Sequence, residues 1–182
     1  PQDTYNYDAT KKVDGLYARA SVGYDNTYYL EGTYRADRSS ALPKNNNRYY
    51  YPSISGSIIF SKLIDAEWLD FGKVRANYAQ VGNDLNPYSV FEYYNIGASF
   101  GGASAASNPS ELNNTDLKAE TTTEQEFGIE FQMFNNRFGL DFSLYNRTTE
   151  DLLTPLDVSN SSGFTSVWLN GGSVENKGIE VF

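Results

Sequence analysis

The stretch EQEFGIEFQMFNNRFGLDFSLYNR, residues 124–147, decides how the chain is read. Its odd positions run Gln125, Phe127, Ile129, Phe131, Met133, against Glu124, Glu126, Gly128, Glu130 and Gln132. After Asn135-Asn136 the alternation resumes in the opposite parity, with Phe138, Leu140, Phe142 and Leu144 against Gly139, Asp141 and Ser143. A period of two predicts strands, and the Asn pair predicts a tight turn between them. The result is a ribbon that is oily on one face and carboxylate-rich on the other.

Similar alternation recurs along the 182 residues. Leu16, Ala18, Ala20, Val22 and Tyr24 oppose Tyr17, Arg19, Ser21 and Gly23. Tyr28, Leu30, Tyr34 and Ala36 oppose Glu31, Thr33, Arg35 and Asp37. Ile54, Ile58 and Phe60 oppose a row of serines, and Val74, Ala76 and Tyr78 oppose Lys73, Arg75 and Asn77. KLIDAEWLDF breaks the rhythm and reads as one helical turn or a connection. A last strand is expected over roughly 173–182. The chain is thus read as one domain, 1–182, of about seven strands. Short connections near 25–27, 62–70 and 134–137 alternate with long ones near 38–47, 83–119 and 159–172.

Composition agrees with a sheet. The chain holds 15 Tyr and 11 Phe but one Met, and it is rich in Thr, Ser, Asn and Gly. The net charge of −9 disfavours nucleic acid, which needs a clustered positive surface. No Cys and no His are present. Disulfides, thiolate or imidazole metal sites and histidine-based nucleophilic catalysis are therefore excluded. No apolar run is long enough for a transmembrane helix. The chain begins at Pro1 without a signal peptide and stops at Phe182 within the alternating KGIEVF, so it is expected to be a piece of a longer protein.

Alternation alone suits a soluble β-sandwich, such as a glycan-binding module, as well as a barrel. Three features favour an antiparallel up-and-down transmembrane β-barrel segment. Tyr28, Tyr29, Tyr34, Tyr49, Tyr50 and Tyr51 lie near strand ends, as in an interfacial girdle. The faces opposite the oily ones carry charge, Ser and Asn, which suits a wet lumen. The loops are long for a compact sandwich. Seven strands cannot close by themselves, and lipid tolerates no open edge, so further strands must complete the ring.

Several segments resemble the C-terminal barrel region of the SusC/RagA family of TonB-dependent outer-membrane transporters. They are TYRADRSS (33–40), YYYPSISGSIIFS (49–61), VRANYAQVGND (74–84), LKAETTTEQEFGIE (117–130), NNRFGLDFSLYNRTTEDLL (135–153) and SSGFTSVWLNGGSVENKGIEV (161–181). Arg38 departs from the glycine usual in that family's RADGSS-like motif. The resemblance implies a 22-stranded barrel with a plug domain that is not in this chain. It also implies import of oligosaccharides or peptides across a Gram-negative outer membrane, energy from the TonB complex, and a SusD-like surface lipoprotein as lid. No enzymatic activity is implied, and an outer-membrane enzyme barrel is disfavoured by the lack of His.

Candidate residues follow. Glu126, Glu130, Asp141, Lys73, Arg75 and Asn77 are expected to form a mixed-charge lumenal lining. The carboxylate pairs Asp65/Glu67 and Glu124/Glu126 read as solvated wall rather than as an acid–base pair. In the longest loop Tyr88, Phe91, Tyr93, Tyr94 and Phe100, with Trp168 after the last loop, are expected substrate contacts, because sugar rings stack on aromatics. No cofactor is expected. Asp84, Asn86, Asn113, Asn114 and Asp116 carry oxygens suited to a loop calcium, yet lack EF-hand spacing and fit turn chemistry. The Asn-x-Ser/Thr triplets at 113, 146 and 160 read as chance.

Overall fold

The computed structural model describes residues 8–87, 90–97 and 101–182. Its strands are β1 Val13–Tyr24, β2 Tyr28–Ser39, β3 Arg48–Ile58, β4 Leu69–Asn83, β5 Asn95–Ile96 and β6 Ala106–Ser107, followed by β7 Glu111–Leu112, β8 Glu120–Met133, β9 Phe138–Glu150, β10 Leu153–Asp157, β11 Ser166–Asn170 and β12 Ser173–Val181. Seven of them form one sheet in the order β1-β2-β3-β4-β8-β9-β12, with antiparallel neighbours throughout. Each long strand thus lies beside the next long strand in sequence.

The register sorts the side chains. Val22, Leu30, Gly56, Ala76, Phe127, Leu144 and Ile179 are successive cross-strand partners and so make one row on one face. The neighbouring row on the opposite face runs Ser21, Glu31, Ser55, Asn77, Glu126, Tyr145 and Gly178. Among the described residues no second layer covers the apolar face; only Phe60, from the connection after β3, folds onto its end. Leu30 is 55% exposed, Ile54 52% and Phe127 45%, although each sits on an inner strand. A sandwich would have buried them, because uncovered apolar area of this extent costs roughly 25 cal/mol per Å² in water. The sheet is a single layer, an antiparallel up-and-down wall.

Tyrosines separate by parity. Tyr24 and Tyr28 pair on the apolar face with ring centroids 6.3 Å apart, and Tyr34 stacks on Tyr50 at 6.1 Å. These four bracket the apolar belt on β1 to β3. Tyr29, Tyr49 and Tyr51, expected beside them, lie instead on the polar face, because each is one residue out of phase with its neighbours.

Short connections gather at one end. Asp25 and Asn26 hold φ of 52° and 46°, a left-handed turn that Asp and Asn tolerate. Within 59–68 lies one 3-10 turn, Phe60–Lys62. Phe60 packs edge-on against Phe131 and lies over Gly72, where a Cβ would come within 2.5 Å of its ring. Backbone bonds from Ile59 to Thr27 and from Phe134 to Trp68 tie the three turns together. The long connections gather at the opposite end. There Leu42, Leu85, Val90, Leu117 and Ala119 form the buried apolar cluster, with Tyr49, Leu153 and Trp168 against it.

Candidate transport surface

The polar face is organised by ion pairs that cross strands. Arg75 on β4 donates Nη1 to Asp141 Oδ2 at 3.1 Å and Nη2 to Asp141 Oδ1 at 2.9 Å, and Nε to Glu126 Oε1 at 3.4 Å. β8 lies between β4 and β9, so the guanidinium must pass over it. It passes at Gly128, where a Cβ would sit 2.5 Å from Arg75 Nε. Tyr145 crosses Gly178 and Tyr51 crosses Gly82 in the same manner. Glycine in these strands thus makes room for long side chains lying flat on the wall.

All six expected lining residues share this face. Asn77 donates to Glu126 Oε2 at 3.4 Å, while Lys73 stands opposite Glu130 in register. Lys73 forms no ion pair among the described residues. Glu124 meets Arg147, and Arg19 meets Glu31 at 2.6 Å. Thr33 and Ser53 share a hydrogen bond. Two polar recesses result. One, of about 560 Å³, includes Glu31, Ser55, Ser57, Lys73 and Asn77. The other, of about 350 Å³, includes Glu124, Glu126, Arg147 and Glu180. Charges on such a surface are paired yet wet, which is cheap only where water reaches them.

At the long-loop end the connections fold onto one another. β10, β11 and β7 make a three-stranded sheet, with β11 and β7 parallel. Asn170 closes it: its Oδ1 accepts from Lys118 N at 2.9 Å, and its Nδ2 donates to the carbonyls of Lys118 and Asp151 at 2.8 and 2.9 Å. Lys118 Nζ pairs with Asp151 at 2.7 Å. Asn46 Nδ2 donates to Asp116 O at 3.0 Å, bringing in the β2–β3 loop.

The expected loop aromatics divide. Phe91, Tyr93 and Tyr94 are exposed, Tyr94 by 70%. Trp168 lies on β11 with its side chain against the Leu42–Leu117 cluster. Tyr88 and Phe100 fall outside the described residues. Of the oxygen-bearing loop residues, Asp84 pairs with Lys11, Asn113 Nδ2 donates to Phe91 O, and Asn114 Oδ1 accepts from Asp116 N at 2.8 Å, which is turn chemistry. Among the described residues no group of three or more His, Cys, Asp or Glu is placed to hold a metal. Gly128 and Asn170 escape a sequence reading, because both act through partners fixed only by register and loop folding.

A family model for TonB dependent receptor-like β-barrels matches residues 1–181. TonB-dependent receptor P39 of Formosa agariphila is 31% identical over 94% of this chain and 17% of its own length. TonB-dependent receptor SusC of Bacteroides thetaiotaomicron is 28% identical over 96% of this chain and 18% of its own length. The chain therefore spans under a fifth of the curated relatives it matches. Among solved structures, the RagAB peptide transporter superposes with a TM-score of 0.87 at 27% identity, covering 94% of this chain and 19% of that one. The siderophore receptor PirA of Pseudomonas aeruginosa, at 17% identity and a TM-score of 0.63 over 94% of this chain and 30% of that one, shares the fold.

Proposed function

The chain belongs to the TonB dependent receptor-like β-barrel family, and on that premise we propose that it is a wall segment of a SusC/RagA-type transporter in a Gram-negative outer membrane. The observation that carries the reading is the sheet itself. An apolar face that no second layer covers among the described residues and a polar face laced with wet ion pairs are what lipid outside and water inside require. The outer edges of β1 and β12, without a strand partner among the described residues, call for neighbouring strands, supplied by the rest of a 22-stranded ring.

The segment does no covalent chemistry and uses no cofactor. Its polar face forms part of the lumen and faces the plug domain, and Lys73, Arg75, Asn77, Glu126, Glu130 and Asp141 line it. Its folded loop end is the external rim. Short turns lie toward the periplasm, as is general for such barrels. A SusD-like lipoprotein closes over the rim, and TonB acts through the N-terminal part of the whole protein. The exposed Tyr93 and Tyr94, with Tyr88 and Phe100 of the same loop, contact the cargo.

The cargo is an oligosaccharide or an oligopeptide. The likeness to the RagAB peptide transporter supports the peptide arm, and aromatic stacking serves either. The test is uptake of labelled oligosaccharide and oligopeptide pools by cells carrying the full-length gene or lacking it. Loss of uptake of one pool on deletion identifies the cargo class. Unchanged uptake of both would refute the transport reading.

A further inference from the structure

Asn170 is the only asparagine of the chain that precedes a glycine. It ends β11, and Gly171-Gly172 lead into β12 at Ser173. In an Asn-Gly pair the side-chain amide is readily lost to attack by the next backbone nitrogen. No Cβ shields that nitrogen, and glycine bends easily toward the preceding side chain. Whether the pair reacts in a folded chain depends on what holds those two groups.

Both are held by the loop cap. Gly171 N donates to Leu152 O at 2.9 Å, so the attacking nitrogen is engaged. Asn170 Nδ2 uses both of its donors, on the carbonyls of Lys118 and Asp151 at 2.8 and 2.9 Å, and Oδ1 accepts from Lys118 N at 2.9 Å. The backbone of Asn170 stands in register with Leu153 of β10. The amide thus reaches toward Lys118 and Asp151, while the nitrogen that would attack it is tied to Leu152.

We propose that Asn170 is a deamidation site gated by opening of the loop cap, and that the product keeps the cap from closing again. In the open cap the Gly171 nitrogen gives its proton to water and attacks Asn170 Cγ. The N–Cγ bond forms, the Cγ–Nδ2 bond breaks, and ammonia leaves with a proton returned by water. A second water opens the cyclic imide at one of its two carbonyls, giving aspartate or isoaspartate. Either product lacks both donors, so the carbonyl oxygens of Lys118 and Asp151 would face a carboxylate oxygen. Isoaspartate also adds a methylene to the main chain where β11 leads into β12. Trp168, two residues upstream, packs against the Leu42–Leu117 cluster, so the change reaches the anchor of the cap. The reaction requires water, and neither membrane nor cargo.

Peptide mapping by mass spectrometry tests this on the full-length protein in detergent, beside the free peptide SVWLNGGSVE, residues 166–175, incubated in the same buffer. The expected result is conversion at Asn170 about tenfold or more slower in the folded protein than in the peptide, since only the open cap reacts. Leu117→Ala speeds conversion toward the peptide's rate, with Trp168→Ala as the second variant should the first fail to fold. Gly171→Ala suppresses conversion and leaves the cap closed, because a Cβ there would meet nothing within 4 Å. Asn170→Asp, which reproduces one product, speeds hydrogen exchange over 151–172, whereas Gly171→Ala leaves it unchanged. Equal rates in protein and peptide, no acceleration in the cap variants, or unchanged exchange in Asn170→Asp overturns the proposal.

Discussion

Arg75 on β4 holds Asp141 on β9 by a two-pronged pair, at 3.1 and 2.9 Å, across a strand that belongs to neither. Gly128 in that intervening strand is the condition for it, since any side chain there would occupy the guanidinium's path.

Gly128→Val should therefore destabilise the full-length barrel more than removing the ion pair does. Overpacking costs about 1–3 kcal/mol. Asp141→Asn should cost about 1 kcal/mol or less, because the pair is roughly a third exposed and Glu126 still serves Arg75. Urea unfolding midpoints of the two variants in detergent check the order.

Faces should respond oppositely to charge. Ile129→Arg, on the apolar face of the inner strand β8, should cost about 2–4 kcal/mol. Glu126→Gln, on the other face of the same strand, should stay within about 1 kcal/mol. Folded yield, read by heat-modifiable mobility, separates them.

In the loop cap, Leu117 is fully buried, and Leu117→Ala should cost about 2–5 kcal/mol locally. Asn170→Ala removes three hydrogen bonds and should loosen 151–172 in particular. Hydrogen exchange of that segment should accelerate in both variants, while exchange in β8 stays slow.

Aromatic residues of the rim should separate by role. Trp168→Ala should speed exchange in the cap, because its ring packs on Leu117 and its neighbours. Tyr94→Ala should leave exchange unchanged and weaken cargo binding, because its side chain is 70% exposed. Binding titrations with the imported pool beside exchange data measure both.

What could be read in advance was what depends on parity. The β8–β9 hairpin declared its two faces residue by residue, since its apolar and polar side chains alternate with a period of two. Tyr29, Tyr49 and Tyr51 were misplaced because nearness to a strand end does not fix parity. β7, β10 and β11 were hidden: they are short, partly parallel and paired across long sequence gaps, and leave no local rhythm. Trp168 looked like a free loop aromatic because nothing near it in sequence reveals the Leu117 cluster it packs against. Gly128 looked like an ordinary interruption, since its meaning lies in the reach of a side chain from another strand.

Single-cysteine labelling tests the central claim most directly, in a chain segment with no native cysteine. The full-length protein would carry Ile129→Cys, Phe142→Cys, Glu126→Cys or Asp141→Cys, each with an environment-sensitive fluorophore, in bilayers containing spin-labelled lipid. The account predicts strong quenching by lipid at 129 and 142, and quenching only by a water-soluble agent at 126 and 141. Protection of 129 and 142 from lipid, or lipid quenching at all four positions, would contradict it.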